Sequence, residues 1–289
     1  MKIPTKKLKN GFEMPVFGLG TWLMGGTKIR DTQNDDEGDI KAIQNAVSMG
    51  ITHIDTAENY AEGHTESLVG HALQGYDRNK LFIATKVDTD HLGYDDVLRS
   101  CQNSLSRLRI EYVDLYLIHK PNDTIPITQT IRAMDRLVQE GLTKYIGVSN
   151  FSTERLIDAQ KHTQNPLVVN QVYYNLAARE PEHEGLLKYC QGNDVLLEAY
   201  RPLEKGVLLA ETVPVLHKIA TKYGKTPSQI AINWLISQEN VVTISKSASI
   251  HHLEENLGAI GWQMENGDIE MLRNGFPNQK AKSDDLPLR

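Results

Sequence analysis

Cysteine is nearly absent: two in 289 residues are too few for a disulfide framework. Cys101 and Cys190 lie far apart in helical patterns and read as unpaired thiols of a reduced, cytoplasmic protein. Long apolar runs are missing as well. None approaches the ~20 residues of a membrane span, so no membrane partner is expected. Nor is there a basic excess. The formal net charge is -6, whereas a nucleic-acid binder presents a basic stripe. The opening Met1-Lys-Ile-Pro-Thr-Lys-Lys-Leu-Lys-Asn10 carries charge without an apolar segment and does not read as a signal peptide. A full Gly-x-Gly-x-x-Gly is also lacking. Gly18-Leu-Gly20 runs on into Thr21-Trp22-Leu23, which counts against a doubly wound nucleotide-binding sheet.

What is present is an ordinary globular composition, 40% hydrophobic and 24% charged. Short apolar runs alternate with helical periodicity along the chain. Strands are predicted at 16–19, 51–54, 81–85, 113–118, 145–148, 167–170, 195–198 and 241–244. Helices are predicted at 36–50, 65–74, 94–108, 127–140, 153–163, 181–190, 212–223 and 227–238. Eight strands, each followed by helical sequence, point to a (β/α)8 TIM barrel, which typically needs ~250 residues. We expect one barrel domain over 1–289. Residues 1–14 should form a β-hairpin cap, with Asn10-Gly11 favouring a type I′ turn. Residues 275–289 form a polar tail that wraps the barrel or frays.

In a barrel, chemistry belongs at the carboxyl ends of the strands. Asp55, Lys86 and His119 each follow an apolar run, and Tyr60 stands five residues after Asp55. Singly, each has a plain structural explanation: a turn aspartate, a packing tyrosine, a solvated lysine, a structural histidine. Together they form a set. A free phenol titrates near ~10, and a nearby ammonium lowers that value. Lys86 can supply the ammonium for Tyr60, Asp55 can fix Lys86, and His119 can orient a substrate oxygen. Such a set suits proton delivery to a carbonyl oxygen. No nucleophile is visible, so the attacking group would be a hydride from a nicotinamide.

The chain resembles the aldo-keto reductase family over nearly its whole length. The resemblance rests on Gly18-Leu-Gly-Thr-Trp22, on His53-Ile-Asp-Thr-Ala-Glu-Asn-Tyr60 with Gly63 and Glu66 downstream, and on Tyr112-Val-Asp-Leu-Tyr-Leu-Ile-His119. Ile146-Gly-Val-Ser-Asn-Phe151, Asn170-Gln-Val-Tyr-Tyr-Asn175, Ala199-Tyr-Arg-Pro-Leu203 and Thr243-Ile-Ser-Lys-Ser247 add to it in order. It implies NADPH- or NADH-dependent reduction of aldehydes or ketones to alcohols. Tyr60 becomes the proton donor, Lys86 its modulator, Asp55 the partner of Lys86 and His119 the orienter. Ser149, Asn150 and Gln171 would hold the nicotinamide carboxamide, and Tyr200 would stack on the ring. Trp22, with Tyr60 and His119, would line the substrate pocket. Gly20, Thr21, Trp22, Asp55, Arg201, Pro202 and Leu203 would also border the cofactor. Lys246, Ser247, His252, Glu255 and Asn256 would meet its adenosine end.

Three positions depart from the family pattern. His252 stands where an Arg is usual, and imidazole is neutral or partly charged at neutral pH. NADPH is still favoured over NADH, because Lys246 supplies one charge. Lys120 follows His119 where many relatives carry an aromatic; it points to solvent or meets an acidic substrate. Arg201 replaces a frequent Ser and either contacts the pyrophosphate or pairs with Glu204 or Glu198. Two other functions compete with the reductase. A regulatory subunit, like the family's potassium-channel beta subunits, would keep the cofactor, but the extended amino-terminal segment is missing here. A metal-dependent hydrolase needs clustered His and carboxylate ligands. His53 lacks evident partners, so no metal is expected. A small-molecule carbonyl substrate and a monomer are the expectations.

Overall fold

Thr5–Lys7 (β1) and Glu13–Pro15 (β2) pair antiparallel, with Lys6 opposite Met14. The turn between them is not type I′, because Gly11, at φ 94°, is its one residue with positive φ. Asn10 instead turns its side-chain oxygen to accept the Phe12 N–H at 2.9 Å. The loop is therefore one residue longer than a two-residue hairpin turn.

The computed structural model describes residues 2–204, 206, 213–276, 280, 282 and 287–289. After the hairpin come Phe17–Gly20 (β3), His53–Asp55 (β4), Phe82–Val87 (β5), Val113–Ile118 (β6), Thr143–Ser149 (β7), Leu167–Tyr173 (β8), Leu196–Tyr200 (β9) and Val241–Ser245 (β10). These eight strands close into a parallel barrel in the order β10-β3-β4-β5-β6-β7-β8-β9. The open doubly wound sheet is thereby excluded. Strand side chains alternate between the barrel interior and the surrounding helices. Both faces are covered, which is why the runs are almost uniformly apolar.

Helices fill the connections as the periodicity predicts. Tyr94–Leu108 buries Val97, Cys101, Leu105 and Leu108 on one face and ends at Arg109 in a left-handed conformation. Pro227–Ile236 starts with a capping box between Thr226 and Gln229. The helix expected over 181–190 is instead two short ones, Glu180–His183 and Leu186–Gly192. Gly185 breaks them with φ 72°. The helix expected from 212 runs Pro214–Tyr223, residue 212 itself lying outside the described residues. Two helices, Ile250–Leu257 and Asn266–Gly275, follow the last strand. No helix among the described residues is long and apolar enough to cross a membrane.

The hairpin closes the amino-terminal end of the barrel. Leu8, Phe12 and Met14 form one cluster with Ala84, Leu115, Leu117, Val169, Leu196 and Val242. Phe12 is fully buried, with its ring 4.7 Å from that of Tyr145. Burial of such a side chain is worth about 1.5–3 kcal/mol. Lys6 tethers the cap by donating from Nζ to the Val241 carbonyl at 2.6 Å.

The tail wraps where it is described. Lys280 N–H donates to Ala177 O at 2.7 Å, and Arg289 N–H donates to Asn150 O at 3.1 Å. Residues 277–279, 281 and 283–286 of the expected tail lie outside the described residues.

Candidate active site

Adjacent parallel strands bring Asp55 and Lys86 together. Asp55 pairs in register with Ala84, so Lys86 is the next interior position up that neighbouring strand. The sequence reading put Lys86 just past its strand. It lies inside the strand, fully buried, facing the barrel axis. Its ammonium has three donors and finds three acceptors. Lys86 Nζ donates to Asp55 Oδ1 at 2.6 Å, Thr56 O at 2.8 Å and Tyr60 Oη at 3.5 Å. The tyrosine ring stands between Trp22 and His119, at centroid distances of 4.8 and 5.6 Å. The four expected residues therefore share one site.

Tyr60 is held there by a strained turn. Ala61 and Glu62 both adopt left-handed backbone, costly for residues with a Cβ. The loop after β3 clamps that conformation. Ala61 N–H donates to Thr27 O at 2.7 Å and Glu62 N–H to Lys28 O at 2.9 Å. A Cβ on Gly63 would lie 2.7 Å from Arg107 Nε, so glycine allows that guanidinium to approach. Arg107 in turn binds Glu66 Oε2 at 2.7 Å, and Glu66 Oε1 accepts from Thr85 at 2.5 Å. Thr85 adjoins Lys86, so this buried chain fixes the lysine's strand from behind.

The electrostatics revise one expectation. Burial pushes the Tyr60 phenol above its ordinary range, and the opposing pull of Lys86 is smaller. The ammonium acts in the predicted direction, but desolvation outweighs it. Burial also pulls against the charge on Lys86, yet Asp55 and Tyr60 together raise it above its usual value. Lys86 is therefore charged and Tyr60 protonated at neutral pH. Burial, reinforced by Lys86, Lys120 and Lys28, holds His119 well below the usual imidazole range. It is neutral, and its Nδ1 is buried without a hydrogen-bond partner.

The remaining predicted residues fall on the same rim. Thr21 ties its N–H and its hydroxyl to Asp55 O, at 3.0 and 2.9 Å. Gly20 lies beside Lys246, whose backbone N is 3.9 Å from where a Cβ would stand. Ser149 donates to Gln171 O at 2.8 Å, and Asn150 Nδ2 donates to Ser149 Oγ at 2.9 Å. Tyr200 donates to Asn150 Oδ1 at 2.7 Å and stacks on Tyr173 at 5.8 Å. The Arg201 guanidinium lies over the Tyr173 ring at 5.4 Å. Pro202 is buried; Leu203 and Lys120 are half-buried. Lys246 and His252 are exposed, Glu255 is half-buried, and Ser247 and Asn256 are buried. This last group gathers where β10 leaves the barrel. It is separated from Lys86 and His119 by β3 and β4.

Sequence reasoning missed what lies underneath. His53 and Glu198, both fully buried, face each other inside the barrel with Nε2 and Oε1 3.5 Å apart. His53 thus has an acidic neighbour, although neither ring nitrogen has a hydrogen-bond partner among the described groups. Gln171 Nε2 bridges two carboxylates, 2.8 Å from Asp55 Oδ2 and 2.7 Å from Glu198 Oε2. His53, Asp55 and Glu198 offer ligand atoms within 4.8 Å of one another. A cation there would compete with the Lys86 ammonium for Asp55 and with the Gln171 amide for both acids. The available signal was period-two spacing: His53 precedes Asp55 by two, and Glu198 lies between Leu196 and Tyr200.

Both thiols are free and buried, and burial pushes each to about 12. On the flank, a depression of about 440 Å³ is bordered by Lys28, Glu58, Asp88 and Arg107, and none of Asp55, Tyr60, Lys86 and His119 lines it.

A sequence model of the Aldo/keto reductase family matches residues 16–274. A methylglyoxal reductase of Escherichia coli is 32% identical over 277 residues, covering 93% of this chain and 94% of that protein. A thermostable aldo-keto reductase solved with the inhibitor epalrestat is 45% identical, with a TM-score of 0.91 over 94% of this chain and 99% of that one. An aldo/keto reductase from Klebsiella pneumoniae, solved with NADP and acetate, is 32% identical. Its TM-score is 0.86 over 99% of this chain and 100% of that one.

Proposed function

This chain belongs to the aldo-keto reductase family, and we propose that it reduces small aldehydes, 2-oxoaldehydes first, with Tyr60 as the general acid. One observation carries this reading: a buried, charged Lys86 whose ammonium is shared between Asp55 Oδ1 and Tyr60 Oη. The 2-oxoaldehyde class is drawn from the relative named a methylglyoxal reductase.

Bound NADPH would supply the hydride that reaches the carbonyl carbon. The donor set fits such a dinucleotide. Ser149, Asn150 and Gln171 carry amide and hydroxyl groups on two neighbouring strands, held by bonds to one another, to Asp55 and to Glu198 that a carboxamide would share or replace, and Tyr200 sets a flat ring beside them. At the other end an exposed Lys246 beside Ser247 suits a phosphate, with His252, Glu255 and Asn256 on the following helix. Gly20, Thr21, Trp22, Arg201, Pro202 and Leu203 border the path between. The Klebsiella relative binds NADP. NADPH is accordingly the proposed cofactor.

The protein's own part is positioning and proton delivery. The carbonyl oxygen sits between Tyr60 Oη and neutral His119. Tyr60 is protonated and ready to donate. As negative charge grows on the oxygen, the proton passes to it from Tyr60, and Lys86 stabilises the phenolate left behind. Asp55 keeps Lys86 in place. Trp22 shields the pocket from water. We also propose that 1–289 acts as one barrel domain and as a monomer in a reducing, cytoplasmic setting, where two buried free thiols persist.

The test is Tyr60→Phe, assayed by loss of nicotinamide absorbance with methylglyoxal and by fluorescence titration of NADPH. Turnover should fall at least ~10²-fold while the NADPH Kd stays within about threefold. Turnover at the wild-type rate would remove Tyr60 from the acid role.

A further inference from the structure

Asp55, Glu198 and Lys86 put two carboxyl groups and one ammonium into a space closed to solvent. One cation cannot neutralise both acids, and an isolated buried carboxylate is very costly. Lys86 takes Asp55, at 2.6 Å. Glu198 is left with a neutral amide and an imidazole. Its Oε2 accepts from Gln171, while Oε1 and both His53 nitrogens have no hydrogen-bond partner among the described groups. These are an orphaned acid and an orphaned base facing each other at 3.5 Å. A proton on Glu198 Oε1, directed at His53 Nε2, pairs those two atoms, while the ring keeps its own proton on Nδ1.

The surroundings hold the pair in that state. The Gly18 backbone lies against the imidazole: a Cβ there would be 2.4 Å from His53 Nδ1. Phe82 packs edge-on to the ring at 5.1 Å. β4 turns His53 and Asp55 toward Glu198, β5 turns Lys86, and β8 turns Gln171. Tyr60 stands above. From β10 the interior neighbours are Val242 and Ile244, neither of which titrates. Burial first, then Asp55, raises the Glu198 carboxyl to about 8, and burial holds His53 down to about 3.

We propose that Glu198 is a positioning residue for the reduction: it holds a proton against His53 beneath the Asp55–Lys86 pair, and losing that proton adds a buried negative charge that keeps the Tyr60 hydroxyl in its acid form. The charge of Glu198 acts on the phenol in that sense, together with Asp55 and against Lys86. The effect is distinct from that of Lys86. As the medium turns alkaline the site itself gains a charge that opposes premature loss of the phenolic proton. The phenol thereby stays competent as an acid for reduction further into the alkaline range. The inference rests on Tyr60 being the acid.

Glu198→Gln keeps the shape and the neutral hydrogen bonds but cannot ionise. The kcat/KM for methylglyoxal with NADPH is measured across about pH 6 to 10 for wild type and E198Q, each normalised at about pH 6. The alkaline limb of E198Q should fall earlier, leaving it about tenfold below wild type at about pH 10. Superimposable limbs would overturn the proposal. Infrared difference spectra supply a second readout. Wild type at about pH 6 should show a protonated-carboxyl stretch that fades toward about pH 10 and is missing from E198Q. If E198Q does not fold, absence of that band from the wild type at about pH 6 still overturns the proposal. Tyr60→Phe separates the two ideas. An active Y60F sinks the acid role, whereas an inactive Y60F with unchanged E198Q limbs sinks only the role of Glu198.

Discussion

Lys86 Nζ lies 2.6 Å from Asp55 Oδ1 on the neighbouring strand, with both side chains shut away from solvent. Removing one partner leaves the other charge buried and uncompensated. Lys86→Met should therefore cost about 3–5 kcal/mol of stability. Its kcat should drop about 10²–10⁴-fold, because the phenolate loses its counter-charge. Urea titration and steady-state reduction of methylglyoxal check the two effects separately. A variant with wild-type kcat would show that Tyr60 needs no ammonium.

Stability should respond to pH in two opposed ways. His53 is held at about 3 by burial, and His119 is also held well below its usual value. In the unfolded chain both would titrate near ~6.5, so below that pH the unfolded state binds more protons and stability falls as pH drops. Glu198 runs the other way. Its folded value of about 8 exceeds the unfolded carboxyl value, so its contribution is present at low pH and is lost as pH rises through about 8. Each group can contribute a slope of up to about 1.4 kcal/mol per pH unit. Between roughly pH 4.5 and 6.5 the contributions of His53 and Glu198 oppose each other. Urea midpoints should fall for wild type from about pH 6.5 to 8.5 and stay flatter for Glu198→Gln. Parallel curves would show that Glu198 is ionised throughout.

Phe12 is the plug of the barrel floor, far from the chemistry at the other end. Phe12→Ala should cost about 3–5 kcal/mol through a cavity that the rigid barrel cannot collapse. The surviving folded enzyme should keep its KM for methylglyoxal. Calorimetry gives the first quantity and steady-state kinetics the second. A change in KM larger than the loss in Tm warrants would mean the floor is coupled to the mouth.

His252 is exposed on the helix after β10, six residues beyond the exposed Lys246. Arg would offer a permanent, forked cation for a phosphate. His252→Arg should raise the ratio of kcat/KM with NADPH to that with NADH about tenfold, or about 1.4 kcal/mol. An unchanged ratio would place the extra phosphate elsewhere.

Much of this site was legible before any coordinates. Asp55, Tyr60, Lys86 and His119 stood out because each ends or follows a short apolar run. The structure gathers all four. The strands were legible to within a few residues for the same reason: β-runs and helical periodicities are local signals. What failed was also physical. Gly185 splits a helix that the apolar spacing alone would have continued. Asn10-Gly11 does not form the turn its dipeptide favours, because the Asn10 side chain binds Phe12 N–H instead. His53 looked partnerless because its partner stands on a strand 145 residues later, with 198 − 53 giving that separation.

The chain's own order of residues determined eight alternating units and a carboxylate, a phenol, an ammonium and an imidazole at their ends. Periodicity and spacing are carried by the backbone's local geometry, so they can be read without folding the chain. Only closure of the barrel decided that Lys86 would be buried with all three donors used. Closure also decided that desolvation would outweigh its pull on Tyr60, and that Glu198 would meet His53 beneath them. Those outcomes depend on which side chains turn inward from different strands at the same height. Register across a closed sheet fixes that, and no single segment contains it.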